Sequence, residues 1–291
     1  MTPAHNRAAY SVGLSLLLVG FLAGCTNPVP KPPPDEITVQ LKWIHQAQFA
    51  GFYVALENGY YDQENLRVTF LEGGQDTDIA EPVATGRADF GVVSPEDVIL
   101  KRSQGAPLTA IAVIYRRSGV VFVSRESSGI ARPSQFPGKT VAVAGTSGAV
   151  RDFELQFLAL MKRLRLDLSR VRLVPYDAEY KGFLSGDVDV TAAFVTSGVI
   201  RLRLKGLRLN LIWPDEYGIH SFSDTIIAND RAIEERPEMV TRFLRASLKG
   251  WREAVGNPQA AVETTLKYAR FPDPGFQRSE ERRVGKECRS R

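Results

Sequence analysis

The chain is poor in the residues that build disulfide frameworks and metal centres. It has two cysteines and three histidines among 291 residues. The cysteines, Cys25 and Cys288, lie near opposite ends, so the body of the chain between them can hold no internal disulfide. The sequence also lacks CxxC and HExxH motifs, a P-loop and the chain order of a Ser-His-Asp triad. We therefore expect no disulfide scaffold, no metal site and none of these catalytic centres.

The body of the chain also lacks a strong charge of one sign. The net charge of +4 comes mainly from the two ends, because residues 1–24 contain one arginine and no acid, and residues 279–291 contain five bases and three acids. Nucleic-acid binding needs a clustered basic face. We therefore expect no nucleic acid among the partners. With 44% hydrophobic residues, the chain is rich enough in apolar side chains to form a globular core.

The N-terminus has the features of an export signal. The apolar run "VGLSLLLVGFL", residues 12–22, has the length of a signal-peptide core and is too short to span a membrane. Arg7 precedes it, and the motif "LAGC" that follows is similar to the bacterial lipobox, in which a diacylglycerol is attached to the cysteine. We predict a signal peptide over residues 1–24 and lipidation of Cys25. The alternative is a small buried cysteine next to an ordinary cleavage site.

Two further segments are predicted to lie outside the folded body. Residues 25–36 are rich in proline, which disfavours helix and sheet and favours an extended tether to the membrane. The final stretch "SEERRVGKECRSR", residues 279–291, has no apolar period and is interpreted as a non-native tail. The alternative is a native disordered basic tail.

Between these ends, short β-branched runs alternate with amphipathic stretches. "ITVQLKW", "LRVTFLEG" and "ADFGVVS" are typical of strands, and "PEDVILKRSQG" is typical of a helix with proline in its first turn. From about residue 120 the alternation begins again with "KTVAVAG" and a long amphipathic helix. This order predicts an α/β fold with largely parallel sheets.

A short pattern occurs once in each half. "ATGRADFGVV", residues 84–93, and "LSGDVDVTAA", residues 184–193, both place a glycine at the end of a helix and an aspartate just before an apolar strand. The alternative is a coincidence between two common helix–strand connections. Two similar α/β lobes would form a cleft, and ligand sites favour such domain interfaces.

The stretch "QLKWIHQAQFAGFYVALENGYY", residues 40–61, combines amides and aromatic rings at the end of the first predicted strand. A tryptophan face can stack on a flat heterocycle, and a glutamine can donate and accept at once. Trp43, His45, Gln46 and Gln48 are therefore candidates for ligand contacts. The alternative is that Trp43 belongs to the core and that the glutamines lie in a solvated loop.

Several of these motifs together resemble one family. "VQLKWIHQAQFAGFYVALENGYYDQENLRVTF", "GRADFGVVSPEDVIL", "SGIARPSQFPGKTVAVAG", "LSGDVDV" and "YGIHSFSDTIIAND" are similar to the NMT1/THI5-like solute-binding proteins of ABC importers. The resemblance runs from about Ile37 to Gly275. It implies a two-lobed α/β fold of the type II periplasmic binding protein class, with a ligand cleft between the lobes.

The resemblance also implies a domain plan and a function. Lobe 1 is expected over residues 37–117 and 218–278, and lobe 2 over residues 118–217. The protein is expected to be a monomer in the periplasm or at the cell surface. It would capture a small flat solute, such as a thiamine pyrimidine precursor, by closure about crossings near Ser118 and Pro214, and deliver it to a permease with its ATPase. No cofactor and no catalysis are implied.

Further ligand contacts are carried over by position, each beside a plain structural alternative. Ser94 is a candidate that could equally be a helix N-cap, Tyr115 could be core, and Asp177 could cap the next helix. The turn over residues 145–148 suits an anion or a carbonyl oxygen, or is merely tight. The remaining candidates complete the predicted site: Gly145, Thr146, Ser147, Thr196, Tyr217 and Asp224.

One departure from the family affects the ligand. Relatives often show "TNEP" where this chain has "TSGV", so Ser197 and Gly198 stand in place of an Asn-Glu pair. A grip on an aminopyrimidine that uses this glutamate would be missing. A flavin or another flat heterocycle, or a sulfonate of the kind that related proteins bind, stays open as the ligand.

Two other functional classes are weighed against transport. Some fungal members of the family are pyrimidine synthases, with a histidine where this chain has Asp97 and a cysteine-rich run that this chain lacks, so an enzyme is not expected. A ligand-sensing domain for a membrane signalling protein is the second alternative. If residues 279–291 are foreign, a C-terminal helix that packs on lobe 1 in such proteins would be incomplete.

Overall fold

The computed structural model describes residues 32–145 and 148–270. The predicted lipidation site Cys25, the start of the tether and the tail at 279–291 lie outside these residues. From Pro34 onward the described chain belongs to one compact unit. Of the helices in this part of the chain, none combines the length and the apolarity that a membrane crossing requires.

In the described residues, ten strands form two five-stranded sheets, and the first sheet has the spatial order β2-β1-β3-β10-β4. Its strands are β1 (Asp35–Gln40), β2 (Leu66–Leu71), β3 (Phe90–Val93), β4 (Leu108–Tyr115) and β10 (Ser223–Asn229). The strands of the second sheet, in the order β7-β6-β8-β5-β9, are β5 (Val120–Arg125), β6 (Thr140–Ala144), β7 (Arg172–Pro175), β8 (Val190–Phe194) and β9 (Leu209–Ile212).

The sheets are largely parallel, as predicted, but each contains one reversed strand that the sequence does not indicate. Strands β1, β2 and β3 run parallel, but β10 is antiparallel to both of its neighbours. In the second sheet β6, β7 and β8 run parallel, and β5 is the reversed strand. The reason is topological: β5 and β10 are the first strands after the chain has crossed from the other sheet, so they enter from the opposite end.

The helices cover the two sheets. Those that follow the strands of the first sheet are α1 (Ala50–Glu57), α2 (Tyr60–Gln63), α3 (Ala80–Ala84), α4 (Pro95–Ser103), α8 (Asp230–Glu235), α9 (Pro237–Gly256) and α10 (Pro258–Leu266). Those that follow strands of the second sheet are α5 (Gly148–Arg163), α6 (Lys181–Ser185) and α7 (Gly198–Leu204). We call the two groups of elements the first and the second lobe.

Each lobe has its own apolar core. Phe90 stacks on Phe243 of α9 at 3.9 Å between ring centroids, and Phe52 meets Trp251 edge-on at 5.7 Å. In the second lobe Phe122 and Phe157 meet edge-on at 5.3 Å. Because each sheet buries its apolar side chains under its own helices, the space between the lobes is left for polar and ligand-binding groups.

The repeated sequence pattern has the same structural role in both lobes. Asp89 accepts a hydrogen bond from the Thr38 amide at 2.9 Å and donates its own amide to the Thr38 carbonyl at 2.9 Å. Asp189 does the same with Thr140, at 2.9 and 3.0 Å. Each aspartate thus joins the central strand of its sheet to the strand beside it.

Two chain crossings connect the lobes. The first lies between β4 and β5, and the second between β9 and β10, where Pro214 begins a 3-10 turn, Pro214–Tyr217. The Ser118 amide donates to the Ser221 carbonyl at 2.7 Å, and Arg117 pairs with Asp215, so the two crossings are bonded to each other. The exact residue ranges predicted for the two lobes, 37–117 with 218–278 and 118–217, stay predictions.

Candidate ligand-binding site

A pocket opens between the two sheets, and we call it the main pocket. It encloses about 550 Å³ of empty space, its open mouth included. Its lining among the described residues is Lys42, Trp43, Ile44, Gln46, Gln48, Phe153, Tyr176, Tyr180, Phe194, Ser197, Gly198 and Arg201.

The lining comes mainly from loops that leave the carboxyl ends of parallel strands. Residues 42–48 follow β1, Tyr176 follows β7, and Ser197 follows β8, which itself ends at Phe194. In open α/β sheets, ligands bind beyond these strand ends, because the loops there diverge and leave a crevice. The pocket is therefore where the topology of the two sheets places a ligand.

The loop after β1 is held in place by a close backbone contact. The Gly73 amide donates to the Trp43 carbonyl at 3.1 Å. Any Cβ at Gly73 would overlap the backbone of Leu41 and Lys42, so only glycine allows the two segments to approach this closely. This contact fixes the half-buried Trp43, whose ring lines the main pocket.

The two predicted glutamines form a buried polar relay. Gln46 Nε2 donates to Gln48 Oε1 at 2.7 Å, and Gln48 Nε2 donates to Asp224 Oδ2 at 2.8 Å. Tyr115 donates its hydroxyl to the Gln48 carbonyl at 2.7 Å. Both glutamine side chains are about 95% buried, so the alternative of a solvated loop is wrong.

A smaller pocket adjoins the main one and shares Gln48 and Phe194 with it. We call it the side pocket, and it encloses about 260 Å³. Thr196, Tyr115 and Asp224 also line it. Asp224 has a φ of 46°, a left-handed conformation that few non-glycine residues adopt, and it places the carboxylate against Gln48.

Aromatic rings from the second lobe form the opposite wall of the main pocket. Phe153 on α5 lies 4.9 Å from the Tyr176 ring and 5.3 Å from the Phe194 ring. The hydroxyl of Tyr176 donates to that of Tyr180 at 3.2 Å. With Trp43 opposite, this wall can accept a flat ring between aromatic faces.

A buried ion pair joins the lobes behind the pocket. Lys42 Nζ lies 2.8 Å from Asp152 Oδ2, and both side chains are at most 2% exposed. Burial disfavours the Lys42 ammonium, but the carboxylates of Asp152, Asp224 and Glu96 outweigh it and raise the pKa of Lys42. Lys42 therefore carries its charge at neutral pH, and it also lies 4.7 Å from the Phe194 ring centroid.

Buried carboxyl groups cluster around this lysine. Glu96 accepts from the Ser221 hydroxyl at 2.5 Å and from Gln156 Nε2 at 3.1 Å, which links α4 to the return crossing and to α5. Burial raises the pKa of Glu96, Asp97 and Asp224 above the ordinary range of carboxyl groups. Among the described residues, no group of three or more His, Cys, Asp or Glu side chains is arranged to hold a metal ion.

Three predicted site residues have structural roles outside both pockets. His45 turns into the first lobe, where its Nδ1 lies 2.8 Å from the Tyr53 hydroxyl. Ser94 caps α4 by accepting from the Asp97 amide at 3.3 Å. Asp177 accepts from the amides of Glu179 and Lys181, at 2.9 and 2.7 Å, and so fixes the turn into α6.

Four further predicted residues belong to the turn before α5 and to the return crossing. Gly145 donates its amide to Glu154 Oε2 at 3.2 Å and does not line either pocket. Tyr217 packs against the core of the second lobe. Thr146 and Ser147 lie outside the described residues, so their proposed contacts stay predictions.

Sequence reasoning missed several residues of the main pocket. Lys42, Phe153, Tyr180, Phe194 and Arg201 were not among the candidates, although they line the pocket. Lys42 could have been identified, because a lysine next to Trp43 at the end of a largely apolar strand is unusual. The other four lie on segments whose aromatic and basic residues look like ordinary core and surface positions.

Comparison with known protein families identifies the family of this chain. The family model NMT1/THI5 like matches residues 46–261. The chain belongs to the NMT1/THI5-like family. The match covers most of both lobes and includes the relay and the aromatic wall.

Curated relatives of this NMT1/THI5-like chain carry different functional names. It is 24% identical to the riboflavin-binding protein RibY of Chloroflexus aurantiacus, over 91% of this chain and 80% of that protein. It is 28% identical to the formylaminopyrimidine-binding protein of Halalkalibacterium halodurans, over 86% and 76%. It is 25% identical to 4-amino-5-hydroxymethyl-2-methylpyrimidine phosphate synthase of Legionella pneumophila, over 79% and 72%.

Solved structures show the same fold. The periplasmic aliphatic sulphonate binding protein SsuA from Escherichia coli superposes with a TM-score of 0.67 at 15% identity, covering 87% of this chain and 79% of that protein. The predicted α/β fold of the periplasmic binding protein class is confirmed. At this identity the likeness concerns the fold alone.

Proposed function

We propose that this NMT1/THI5-like chain is the extracytoplasmic solute-binding lipoprotein of an ABC importer. It would capture a small flat heterocycle between its lobes. The main pocket supports the proposal best, because five aromatic residues from both lobes line it. Amides on one side and an arginine on the other add polar contacts that can orient a ring.

Lobe closure would provide the binding mechanism. The solute would enter the open cleft, and rotation about the two bonded crossings would bring Trp43 and the aromatic wall together. A ligand shifts this equilibrium only through contacts that exist in the closed form. The closed form would then dock on the permease.

The names of two curated relatives support a flat heterocycle as the ligand. One relative is named for riboflavin and another for formylaminopyrimidine. Both ligands are planar heterocycles with hydrogen-bonding edges. Such a ring suits a pocket with aromatic faces and buried glutamines.

We propose binding rather than synthesis, although one relative is named as a pyrimidine synthase. The position that the resemblance assigns to the histidine of the synthases is Asp97. Its side chain is fully buried at the interface of α4 and α5 and does not line the main pocket. The chain also has no cysteine between Cys25 and Cys288 that could form the cysteine-rich run.

A thermal-shift screen tests the binding function. The chain from residue 26 would be unfolded with hydroxymethylpyrimidine, formylaminopyrimidine, thiamine, riboflavin, taurine or nitrate present. A ligand at about 100 times its Kd should raise the unfolding free energy by roughly 2.7 kcal/mol. We expect a shift with at least one flat ring.

Two variants assign the shift to the main pocket. Trp43→Ala should abolish it, because the variant loses a stacking face. The control Phe222→Ala should retain it, since Phe222 is 53% exposed and lies outside the main pocket. A shift that persists in Trp43→Ala would place binding elsewhere, and no shift with any compound would argue against the proposal.

A further inference from the structure

Two tyrosines in the main pocket share one hydrogen bond. Tyr176 donates its hydroxyl to Tyr180 at 3.2 Å, and both side chains are more than 90% buried. Each phenol carries one hydroxyl proton, and the single hydrogen bond between the two uses only the proton of Tyr176. Among the described residues, the Tyr180 hydroxyl has no acceptor for its own proton. Burial raises the pKa of both tyrosines, so the hydroxyls stay protonated.

The backbone is arranged to place this hydroxyl in the pocket. Tyr180 has a φ of 58°, a left-handed conformation that is unfavourable for a bulky residue. The turn that Asp177 caps holds it there, and the Tyr180 amide donates to the Asp177 carbonyl at 2.9 Å.

Gly198, at the start of α7, makes room for the same hydroxyl. A Cβ at this position would overlap the Tyr180 hydroxyl and would lie 2.9 Å from the Ala193 Cβ. The backbone of Gly198 is helical, a conformation that any residue can adopt. Glycine is therefore needed here because there is no room for a side chain, not because of the backbone angles. The Tyr180 hydroxyl thus occupies the volume that a side chain at 198 would fill.

The rest of the described lining is also rich in donors. It contains the cations Lys42 and Arg201 and no carboxylate. The side-chain amide of Gln48 already uses its oxygen to accept from Gln46 and its nitrogen to donate to Asp224. Lys42 is paired with Asp152, and Arg201 is bonded to Glu179 and to the Ala178 carbonyl, so the Tyr180 hydroxyl is the clearest donor for a ligand carbonyl.

We infer that the main pocket recognises a flat heterocycle by a carbonyl-bearing edge, a ring dione of the pteridine or isoalloxazine type, and that Tyr180 is a specificity-determining donor to it. This inference rests on the proposed binding function. A diamino analogue would place an N–H group against the Tyr180 hydroxyl proton and leave both groups unpaired. Sites built to bond one group reject an analogue that lacks it, because buried polar groups then stay unsatisfied.

Two pteridines of the same shape provide the test. Lumazine carries two ring carbonyls where 2,4-diaminopteridine carries two amino groups. Calorimetric titration of the chain from residue 26 should show lumazine bound at least about tenfold more tightly. Tyr180→Phe removes one oxygen and should weaken lumazine binding by about tenfold, with little effect on the diamine. The matched control Tyr60→Phe removes a phenol oxygen outside the main pocket, where Tyr60 donates to Glu253, and should change lumazine affinity by less than about threefold.

The outcomes separate this inference from the proposed function. Equal or tighter binding of the diamine would overturn the dione preference but leave a heterocycle-binding protein. Unchanged lumazine affinity in Tyr180→Phe would overturn the role of Tyr180. If the protein bound none of these compounds (the two pteridines, riboflavin and the aminopyrimidines), the proposed function would be overturned as well.

A second variant keeps the test valid if Tyr180→Phe does not fold. Gly198→Ala retains both hydroxyls but displaces that of Tyr180, so it should also weaken lumazine binding selectively. Thermal unfolding of each variant without ligand shows whether a loss of affinity reflects the site or the fold. A folded Gly198→Ala with the lumazine affinity of the parent chain would contradict the inference.

Discussion

In the first lobe Asp89 bonds to Thr38, and in the second lobe Asp189 bonds to Thr140 with the same atoms at almost the same distances. The strand orders β2-β1-β3-β10-β4 and β7-β6-β8-β5-β9 also correspond one to one, down to the single reversed strand. The pocket side chains do not correspond. The first lobe supplies Trp43 and amides, whereas the second supplies four aromatic rings and Arg201.

The comparison shows which positions the fold constrains and which the ligand constrains. Buried strand contacts are similar in both lobes because each sheet must satisfy the same backbone groups. The loops beyond the strand ends carry no such requirement, so their side chains can differ. Under the proposed function, the inequality of the two walls would give a planar solute a defined orientation in the cleft.

The largest effect should come from breaking the ion pair that joins the unequal walls. Lys42→Met leaves Asp152 as a buried carboxylate without its partner at 2.8 Å. Removal of one partner from a buried pair typically costs about 3–5 kcal/mol. We expect a loss of this size in the free energy of unfolding at neutral pH, measured by urea denaturation.

The double variant Lys42→Met with Asp152→Leu is the control for this loss. It removes both charges, and apolar replacements of buried pairs are often neutral or stabilising. Most of the lost stability should therefore return. A double variant that stays as unstable as Lys42→Met would show that the lysine acts mainly through packing on Phe194.

A smaller effect tests whether the two lobes are equivalent. Asp89→Ala and Asp189→Ala each leave a partly buried strand amide without its carboxylate, which should cost about 1 kcal/mol of unfolding free energy or somewhat more. Asp89 also lies 3.4 Å from Arg236 at the surface, a contact worth at most about 1 kcal/mol. The two losses, measured by thermal denaturation, should therefore agree within that margin. An Asp189→Ala variant with the unfolding free energy of the parent chain would contradict the equivalence of the two lobes.

The sequence predicts the fold well because its signals are local. Pro95 in the first turn of α4 and the glycine after Asn58, with a φ of 64°, lie where the pattern places a helix start and a helix end. The alternation of strands and helices correctly indicates an α/β fold. It does not indicate the reversed strands β5 and β10, because strand direction depends on which lobe the chain has just left.

The site is predicted less completely because its members are brought together by the fold. The segment after β1 shows amides and a tryptophan in one short run, so Trp43, Gln46 and Gln48 could be found. Phe153 and Tyr180 enter the pocket from the other lobe, and nothing near them in the sequence marks them. His45 has the right residue type but turns inward to Tyr53, a direction that only packing decides.

The smallest expected effect concerns a carboxyl group at the interface of the lobes. Asp97 on α4 is fully buried, and among the described residues neither of its carboxylate oxygens has a hydrogen-bond partner; Arg151 Nε on α5 lies 3.7 Å away. Burial raises its pKa above the ordinary value of 3.8, although Arg151 and Lys101 oppose this. Its folded form therefore holds the proton more tightly than the unfolded form does. Its contribution to stability is present at low pH and is lost as the pH rises through the raised pKa.

Asp97→Asn removes this ionisation with little change in shape. The variant should equal or exceed the parent chain in unfolding free energy at neutral pH, by up to about 1 kcal/mol, because it no longer buries a charge. Unfolding free energies of both chains between about pH 5 and 8 should give a difference that shrinks as the pH falls, since the parent carboxyl then becomes neutral too. A variant that is less stable at pH 8 than at pH 5, relative to the parent, would show that Arg151 holds Asp97 ionised as a true ion pair. The first and second lobes would then be joined by two such pairs rather than by Lys42 and Asp152 alone.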